Sequence, residues 1–368
     1  MAHNVCANCF KYLEHKYLFQ DDNLKTGKCS YCSSPDMSVM DLDDEMQTLV
    51  ESLKADFGDV FSYYVKDEKG RPLLEVFLDD WQVFDTNFLQ AQVSQESLLT
   101  SLLNETVDSS VKVELDPKVR DQERNKIISD GSWNDFTQVL LRKNRFHSNK
   151  FDVRHFRRYM DVLTKIIEND DDMKFFRGRT VESSVDKPLP DSEMGLPPWD
   201  VVREGRLNSI GIPVLYLASN LDTVPGELRG DVHQKFSIST FKLTDDIKIV
   251  DFTMLSQISP FGPAFAESKI EWYWNKNDLI EMARDFSAPV KDLDGRANGT
   301  EYLPTQFLAD AIKSMEMDFD GIKYASTVND QAYNLALFKD DKVEIVQTEL
   351  MTVESVAYQL KEFNASEI

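Results

Sequence analysis

Apolar residues recur at helical spacing in the first half of the chain and alternate at strand spacing in much of the second. From Asp41, a first turn of acids precedes Met46, Leu49, Val50, Leu53 and Phe57 at i, i+3, i+4, i+7 and i+11, which predicts a helix. Helical spacing returns at Glu96 to Asn104 and at Trp133 to Leu141. It is clearest from Val153 to Ile167, where Val153, Phe156, Met160, Leu163 and Ile167 make one stripe. Between these helices, Phe61 to Asp85 alternates and holds a Gly70-Arg71-Pro72 turn, so short strands or irregular structure are expected, with Trp81 and Phe84 in the core. The acids Glu168 and Asp170 to Asp172 read as a solvated linker. Beyond it, Pro213 to Ala218, Phe236 to Leu243, Ile247 to Phe252, Gly321 to Ser326 and Asn334 to Phe338 read as strands, with an amphipathic helix running through Ile312.

These patterns predict an α+β protein in four parts. A cysteine segment spans 1–40, a mainly helical region 41–172, a mixed-sheet domain 173–345 and a helical tail 346–368. All four cysteines lie in the first part as Cys6-x2-Cys9 and Cys29-x2-Cys32, nineteen residues apart. Two such knuckles can close a tetrahedral S4 site, and a segment with little core of its own needs such a staple, so a structural zinc is expected in preference to two disulfides. His3 and His15 are not needed as ligands and are expected at the surface.

Charge narrows the functional classes. Lys and Arg number 41 against 64 Asp and Glu, a net charge of −23, which disfavours general binding to nucleic acid. No run of about 18 apolar residues appears and the N-terminus shows no basic-then-apolar leader, so a cytoplasmic protein is expected, with no membrane partner. One stretch departs from the average: Arg142, Lys143, Arg145, Lys150, Arg154, Arg157 and Arg158 face the single acid Asp152. These cations are expected to pair with acids elsewhere.

The stretch Gly205 to Glu227 carries the candidate chemistry. Turn residues Gly205, Asn208, Gly211 and Pro213 lead into a strand bearing Tyr216, and Ser219 to Thr223 supply caps for a short helix holding Glu227. A Tyr from the strand and a Glu from the helix form a plausible pair for a flat cationic ring.

Gly205-Arg206-Leu207-Asn208, Gly211, Tyr216 and Thr223 through Glu227 resemble, in order and spacing, the RES domain, a family of bacterial toxin-like proteins named after an Arg, a Glu and a Ser. Further islands agree: Phe176-Arg177, Leu196-Pro197-Pro198, Glu301 to Phe307, Gly321 to Ser326 and Asn334 to Phe338. Pro225-Gly226 departs from the usual small aliphatic pair, and Ala325 stands where many relatives carry a further Ser. The cysteine segment and helical region resemble the HEPN/RES N-terminal region of longer members. Within it, Arg142-x4-His147 matches the short signature of HEPN ribonucleases, which leaves RNA cleavage by His147 as an alternative.

The resemblance implies an ADP-ribosyltransferase-like fold and consumption of NAD as substrate, by hydrolysis or phosphorolysis of its nicotinamide–ribose bond. Transfer of ADP-ribose to a macromolecule and a nucleotide-sensing binding module are the alternatives. It implies Glu227 as the carboxylate beside the ribose, Arg177 and Arg206 as pyrophosphate holders with Arg179 able to share that work, Tyr216 stacked on nicotinamide, and Ser326 bonded to carboxamide or ribose. Asn208 is expected to shape the turn and Thr223 to belong to the binding segment. The resemblance also implies an inhibitory antitoxin as partner, and a homo-oligomer is compatible with it.

Overall fold

The computed structural model describes residues 3–44, 48–103, 110–115, 126–288, 300–329 and 331–356. The chain divides into two compact units. One comprises Met1–Asp130, Lys150–His155 and Ser256–Asp278, and the other Gly131–Asn149, Phe156–Leu255 and Leu279–Ile368. Compactness therefore cuts the chain differently from the four contiguous spans expected along the sequence.

The first unit begins with a small antiparallel sheet of β1 (Asn4–Cys6), β2 (Lys25–Gly27) and β3 (Met37–Asp41), in the order β1-β3-β2. It brings the cysteines together, with Sγ atoms 3.5 Å apart for Cys6 and Cys32 and 3.6 Å apart for Cys9 and Cys29. All four sulfurs lie within 4.8 Å of one another and the thiols are free. A disulfide needs about 2.05 Å. The observed spacing instead approaches the edge of a tetrahedron with metal–sulfur bonds of about 2.3 Å, so the group could hold a metal ion. Hydrogen bonds from Cys6 and then Cys9 pull the Cys29 thiol far below its usual range, and the same contact pushes Cys6 up to about 12.

The helix Thr48–Ser62 buries Val50, Leu53, Phe57 and Val60, the face that its spacing marks. Asp41 itself belongs to β3, and residues 45–47, with Met46, lie outside the described residues. Phe57 stacks on Phe77 at 5.4 Å and on Phe84 at 5.8 Å. His15 corrects an expectation. It is fully buried, with Phe10, Phe57 and Phe261 around its ring at 5.5, 5.6 and 4.4 Å, and its Nε2 is 3.3 Å from Asp56. On its five-residue helix, Leu13–Tyr17, the apolar Leu13 and Tyr17 are exposed instead. A ring that meets aromatic edges and a carboxylate can be buried where hydropathy alone would leave it outside. His3 is exposed, as expected.

Gly70-Arg71-Pro72 is likewise not a turn between strands. It ends β4 (Tyr64–Pro72), at a register shift against β5 (Lys112–Leu115). A Cβ on Gly70 would lie 2.3 Å from the Val113 carbonyl oxygen, so that close approach requires glycine. Leu73–Asp80 then forms helical turns, with Trp81 and Phe84 buried beyond them.

The second unit is organised on one mixed sheet. Its strands are β6 (Thr164–Ile167), β7 (Phe175–Val181), β8 (Leu215–Ala218), β9 (Lys235–Leu243), β10 (Ile247–Asp251), β11 (Gly321–Ala325), β12 (Tyr333–Leu337) and β13 (Val343–Thr352). They lie in the order β13-β9-β7-β8-β12-β11-β10-β6, and β10–β11 pair in parallel while the other neighbours are antiparallel. Phe175, Leu215, Leu217, Phe241, Leu243, Ile249, Leu335 and Leu337 pack together at the core.

Two elements differ from the sequence reading and a third has no counterpart in it. The stripe from Val153 to Ile167 is a helix only over Val153–Val162, after which Thr164–Ile167, with β-branched Thr164, Ile166 and Ile167, pairs with β10 at the sheet's edge. Where a helical tail is expected from 346, β13 continues to Thr352 along β9, and residues 357–368 lie outside the described residues. The helix Ile270–Ser287 carries no clean apolar stripe, because Glu271, Asn275 and Asp278 are buried on it beside Ile270, Trp272 and Leu279. Buried polar groups with partners defeat the hydropathy period; Asn275 Oδ1, for instance, accepts from Ile127 N at 2.6 Å. Among the described residues, no helix is long and apolar enough to cross a membrane.

Fully buried Asp251 at the end of β10 is paired with Lys323 of β11 at 2.9 Å. Removing the cation leaves a buried carboxylate supported by Thr253 alone among these partners. Lys323→Met is expected to destabilise the second unit by about 3 kcal/mol. Lys242→Met, which breaks the surface pair with Glu344, should cost much less, because solvent screens an exposed pair. Denaturant unfolding of the two variants measures the difference, and equal costs would contradict it.

Candidate functional site

Two neighbouring cavities in the second unit share Arg177 and Tyr216 as walls. The first has a volume of about 320 Å³ and is lined also by Phe176, Arg206, Glu227, Tyr302, Tyr324 and Asn334. Its residues come from strands that are neighbours in the sheet though far apart in sequence. β7 supplies Arg177, β8 Tyr216, β11 Tyr324 and β12 Asn334, while the one-turn helix Val224–Glu227 carries Glu227.

That helix can lie against β7 because position 178 is glycine. A Cβ there would sit 2.5 Å from Val224 Cγ1 and 2.9 Å from Leu228 Cδ1. Pro225 falls in the first turn, where its missing N–H costs nothing, so the Pro-Gly departure from the family pattern leaves the helix intact. Glu227 Oε1 accepts from Ser326 Oγ at 2.8 Å and from Asn334 Nδ2 at 2.9 Å. Both donors are buried, whereas Glu227 is exposed at the cavity's rim. Two charge-assisted bonds on one oxygen fix the carboxylate's position.

Arg177 presents the opposite situation. Its Nε and Nη1 are buried without a hydrogen-bond partner. Burial first and the adjacent Arg179 second pull its pKa down to about 10, so the guanidinium is still protonated at neutral pH but poorly compensated. Arg179 Nε is also buried without a partner, and Arg179 lines the second cavity. Arg206 lines the first cavity and donates from Nη1 to the Phe286 carbonyl oxygen.

Tyr216 makes polar contacts besides any stacking its ring can offer. Its hydroxyl accepts from Leu207 N at 2.8 Å and donates to Asn208 Oδ1 at 2.9 Å. Asn208 Nδ2 donates to Arg203 O, and Gln306 Nε2 donates to Gly205 O and Asn208 O. The tyrosine therefore locks the turn carrying Arg206 while its ring walls both cavities, and burial raises its pKa well above the ordinary phenol value. Asn208 shapes this turn, as read from the sequence. Thr223 does not line either cavity: it is buried and donates from Oγ1 to Asn220 O, closing the turn before the Glu227 helix. Asn334 was legible in the sequence only as a strand residue. Its signal is a polar side chain at a buried position of an apolar strand.

The short Arg142-x4-His147 pair lies at the surface. Both residues are exposed, Arg142 at the end of the helix Trp133–Arg142 and His147 beyond it. In the neighbouring stretch Asp152 lies 3.6 Å from Arg154 and 3.2 Å from His155.

The chain pairs a RES domain, matched by its family model over residues 197–360, with HEPN/RES N-terminal domain 1, matched over residues 22–153. The RES match includes Arg206, Tyr216, Glu227, Ser326 and Asn334 and begins beyond Arg177. Curated proteins give no sequence match. Among solved structures, a chain of the M. tuberculosis MbcT–MbcA toxin–antitoxin complex is similar at 13% identity with a TM-score of 0.29, over 53% of this chain and 91% of that chain.

An unpaired buried cation costs stability until an anion reaches it. Arg177→Met is therefore expected to stabilise the free protein by about 1–3 kcal/mol. Added inorganic pyrophosphate should raise the melting temperature of the unaltered chain and have no effect on the variant. Thermal melts at matched ionic strength measure both, and equal stabilisation by pyrophosphate would contradict the assignment.

Proposed function

We propose that the chain is an NAD-consuming, toxin-like enzyme that cleaves the bond between nicotinamide and ribose. The observation that carries this reading is the Glu227 carboxylate, clamped by Ser326 and Asn334 at the rim of the cavity walled by the partnerless Arg177 guanidinium. In the reaction the C1′–N1 bond breaks and its electron pair neutralises the pyridinium ring as nicotinamide leaves. Positive charge grows on the ribose ring, and a fixed carboxylate beside it lowers the barrier more than it stabilises the ground state. Water or phosphate then bonds to C1′, and water loses its proton to Glu227 or solvent. Transfer to a macromolecular nucleophile would use the same first step.

Arg177 and Arg206 hold the pyrophosphate in this reading, by planar donors suited to it. Ser326 acts through Glu227 in this reading, since its hydroxyl donates to that carboxylate. Tyr216 provides a face for the nicotinamide while its hydroxyl keeps the arginine-bearing turn in place. The four-cysteine group takes zinc, the metal suited to four thiolates, as a structural closure. An inhibitor that covers the cavity mouth would hold such an enzyme in check.

Incubating the full chain with NAD, with and without phosphate, is expected to release nicotinamide, with ADP-ribose or its 1-phosphate as the partner product. Ser326→Ala and Asn334→Ala should each lower kcat about 10- to 100-fold with KM within about twofold, because they loosen the carboxylate and not the substrate. NAD that survives intact would refute the reading. Metal analysis should find one zinc per chain, and chelation should lower the melting temperature; a metal-free chain of unchanged stability would remove the zinc assignment.

A further inference from the structure

A third cavity, of about 510 Å³, lies in the second unit against the turn that carries Glu227. It shares no lining residue with the other two. From this turn the first cavity takes Val224, Glu227 and Leu228, whereas the third takes Leu221, Asp222, Pro225 and Gly226. Its floor is apolar: Phe236 and Ile238 of β9 are 1% and 3% exposed, and Met351 of β13 pairs opposite Phe236. A second wall is the chain beyond β13, held in place by Val353 N donating to Gln234 O at 3.0 Å and His233 N donating to Val353 O at 2.9 Å. Val328 also lines the cavity, and its N–H donates to Ser326 Oγ at 3.2 Å. Among the described residues no Lys, Arg or His lines the cavity, while Asp222 on one wall and Glu354 on the other are exposed and without an ion-pair partner.

We infer that this cavity binds a small amphipathic amine, with its apolar part on the floor of Phe236 and Ile238 and its ammonium drawn to Asp222 and Glu354, and that the occupant steadies the Glu227 turn. The volume suits a small molecule, and apolar walls with a few polar groups are what such sites present. Two carboxylates with no cation beside them in the lining select for positive charge and against an anion. Solvent screens an exposed pair, so each carboxylate is expected to contribute about threefold to affinity and the two together about tenfold. The helix Val224–Glu227 is a single turn, with almost no stability of its own. An occupant packed on Pro225, Gly226 and Val328 adds contacts to the segments that carry Glu227 and its donor Ser326, and it does so only while they hold their places. Binding does not depend on the proposed reaction; the effect on rate rests on that reading.

Calorimetry on the full chain with tryptamine, and with tryptophol, which keeps the ring and chain but carries a hydroxyl in place of the ammonium, tests the site. Tryptamine is expected to bind about tenfold more tightly than tryptophol. Asp222→Asn combined with Glu354→Gln should erase this preference and leave tryptophol binding unaltered, which also shows that the variant is folded. Ser355→Trp, at an exposed position of the lining, should weaken both ligands, while Glu227→Gln leaves both unchanged. In the cleavage assay, saturating tryptamine should raise kcat about twofold or more in the unaltered chain and have no effect on the double variant. Failure to bind tryptamine, equal affinity for the two ligands, a preference that survives in the double variant, or equal binding by Ser355→Trp would each overturn the site. Binding by a chain that ends at Val356 and not by the full chain would show the cavity taken by the chain's own end, and would overturn it likewise. Tryptamine binding as described with an unaltered kcat would overturn the effect on the Glu227 turn and keep the site. The same binding without any release of nicotinamide from NAD would instead overturn the proposed reaction.

Discussion

The geometry of the candidate site depends on one carboxylate being held by two buried donors. Ser326 follows the end of β11 and Asn334 lies on β12, whereas Glu227 sits on a single helical turn packed over β7. A one-turn helix has almost no stability of its own. Its position is set by the glycine at 178 beneath it, by the Asn220 and Thr223 bonds that close its entry, and by these two hydrogen bonds at its far end. The sheet order makes this closure feasible, because β8 and β12 are neighbours despite more than a hundred intervening residues.

Electrostatics completes the arrangement. A carboxylate with two donors lies at the rim of a cavity whose wall includes a guanidinium with buried, partnerless nitrogens. The negative group is satisfied before any ligand arrives and the positive one is not. A ligand with a cationic ring at one end and a diphosphate in the middle meets both conditions, and NAD has that distribution of charge. The tyrosine between them belongs to the scaffold as much as to the site, since its hydroxyl ties down the turn on which Arg206 is carried.

Much of this was readable from the sequence where local pattern and tertiary environment agree. The strands around Tyr216, Phe236 to Leu243, Ile247 to Asp251 and Tyr333 to Leu337 announce themselves by apolar runs, and the cysteine spacing brings four sulfurs together as expected. The failures share a cause. His15, Asn334 and the polar side of the helix Ile270–Ser287 are buried polar groups whose surroundings come from distant segments, and hydropathy cannot see those partners. Thr164–Ile167 keeps the apolar stripe of the preceding helix but is drawn into the sheet by pairing with β10, a long-range term that no local window contains. Thr223 lies inside the recognised motif yet serves the backbone, which shows that a motif position and a cavity position are different properties.

The most direct test separates binding from chemistry at Glu227. The full chain and Glu227→Gln are compared for NAD affinity by equilibrium binding and for nicotinamide release under saturating NAD. Glutamine keeps the shape and removes the charge, so the account predicts NAD affinity within a few-fold and release lowered by about 1,000-fold or more. Release by Glu227→Gln at the rate of the unaltered chain would contradict the central claim.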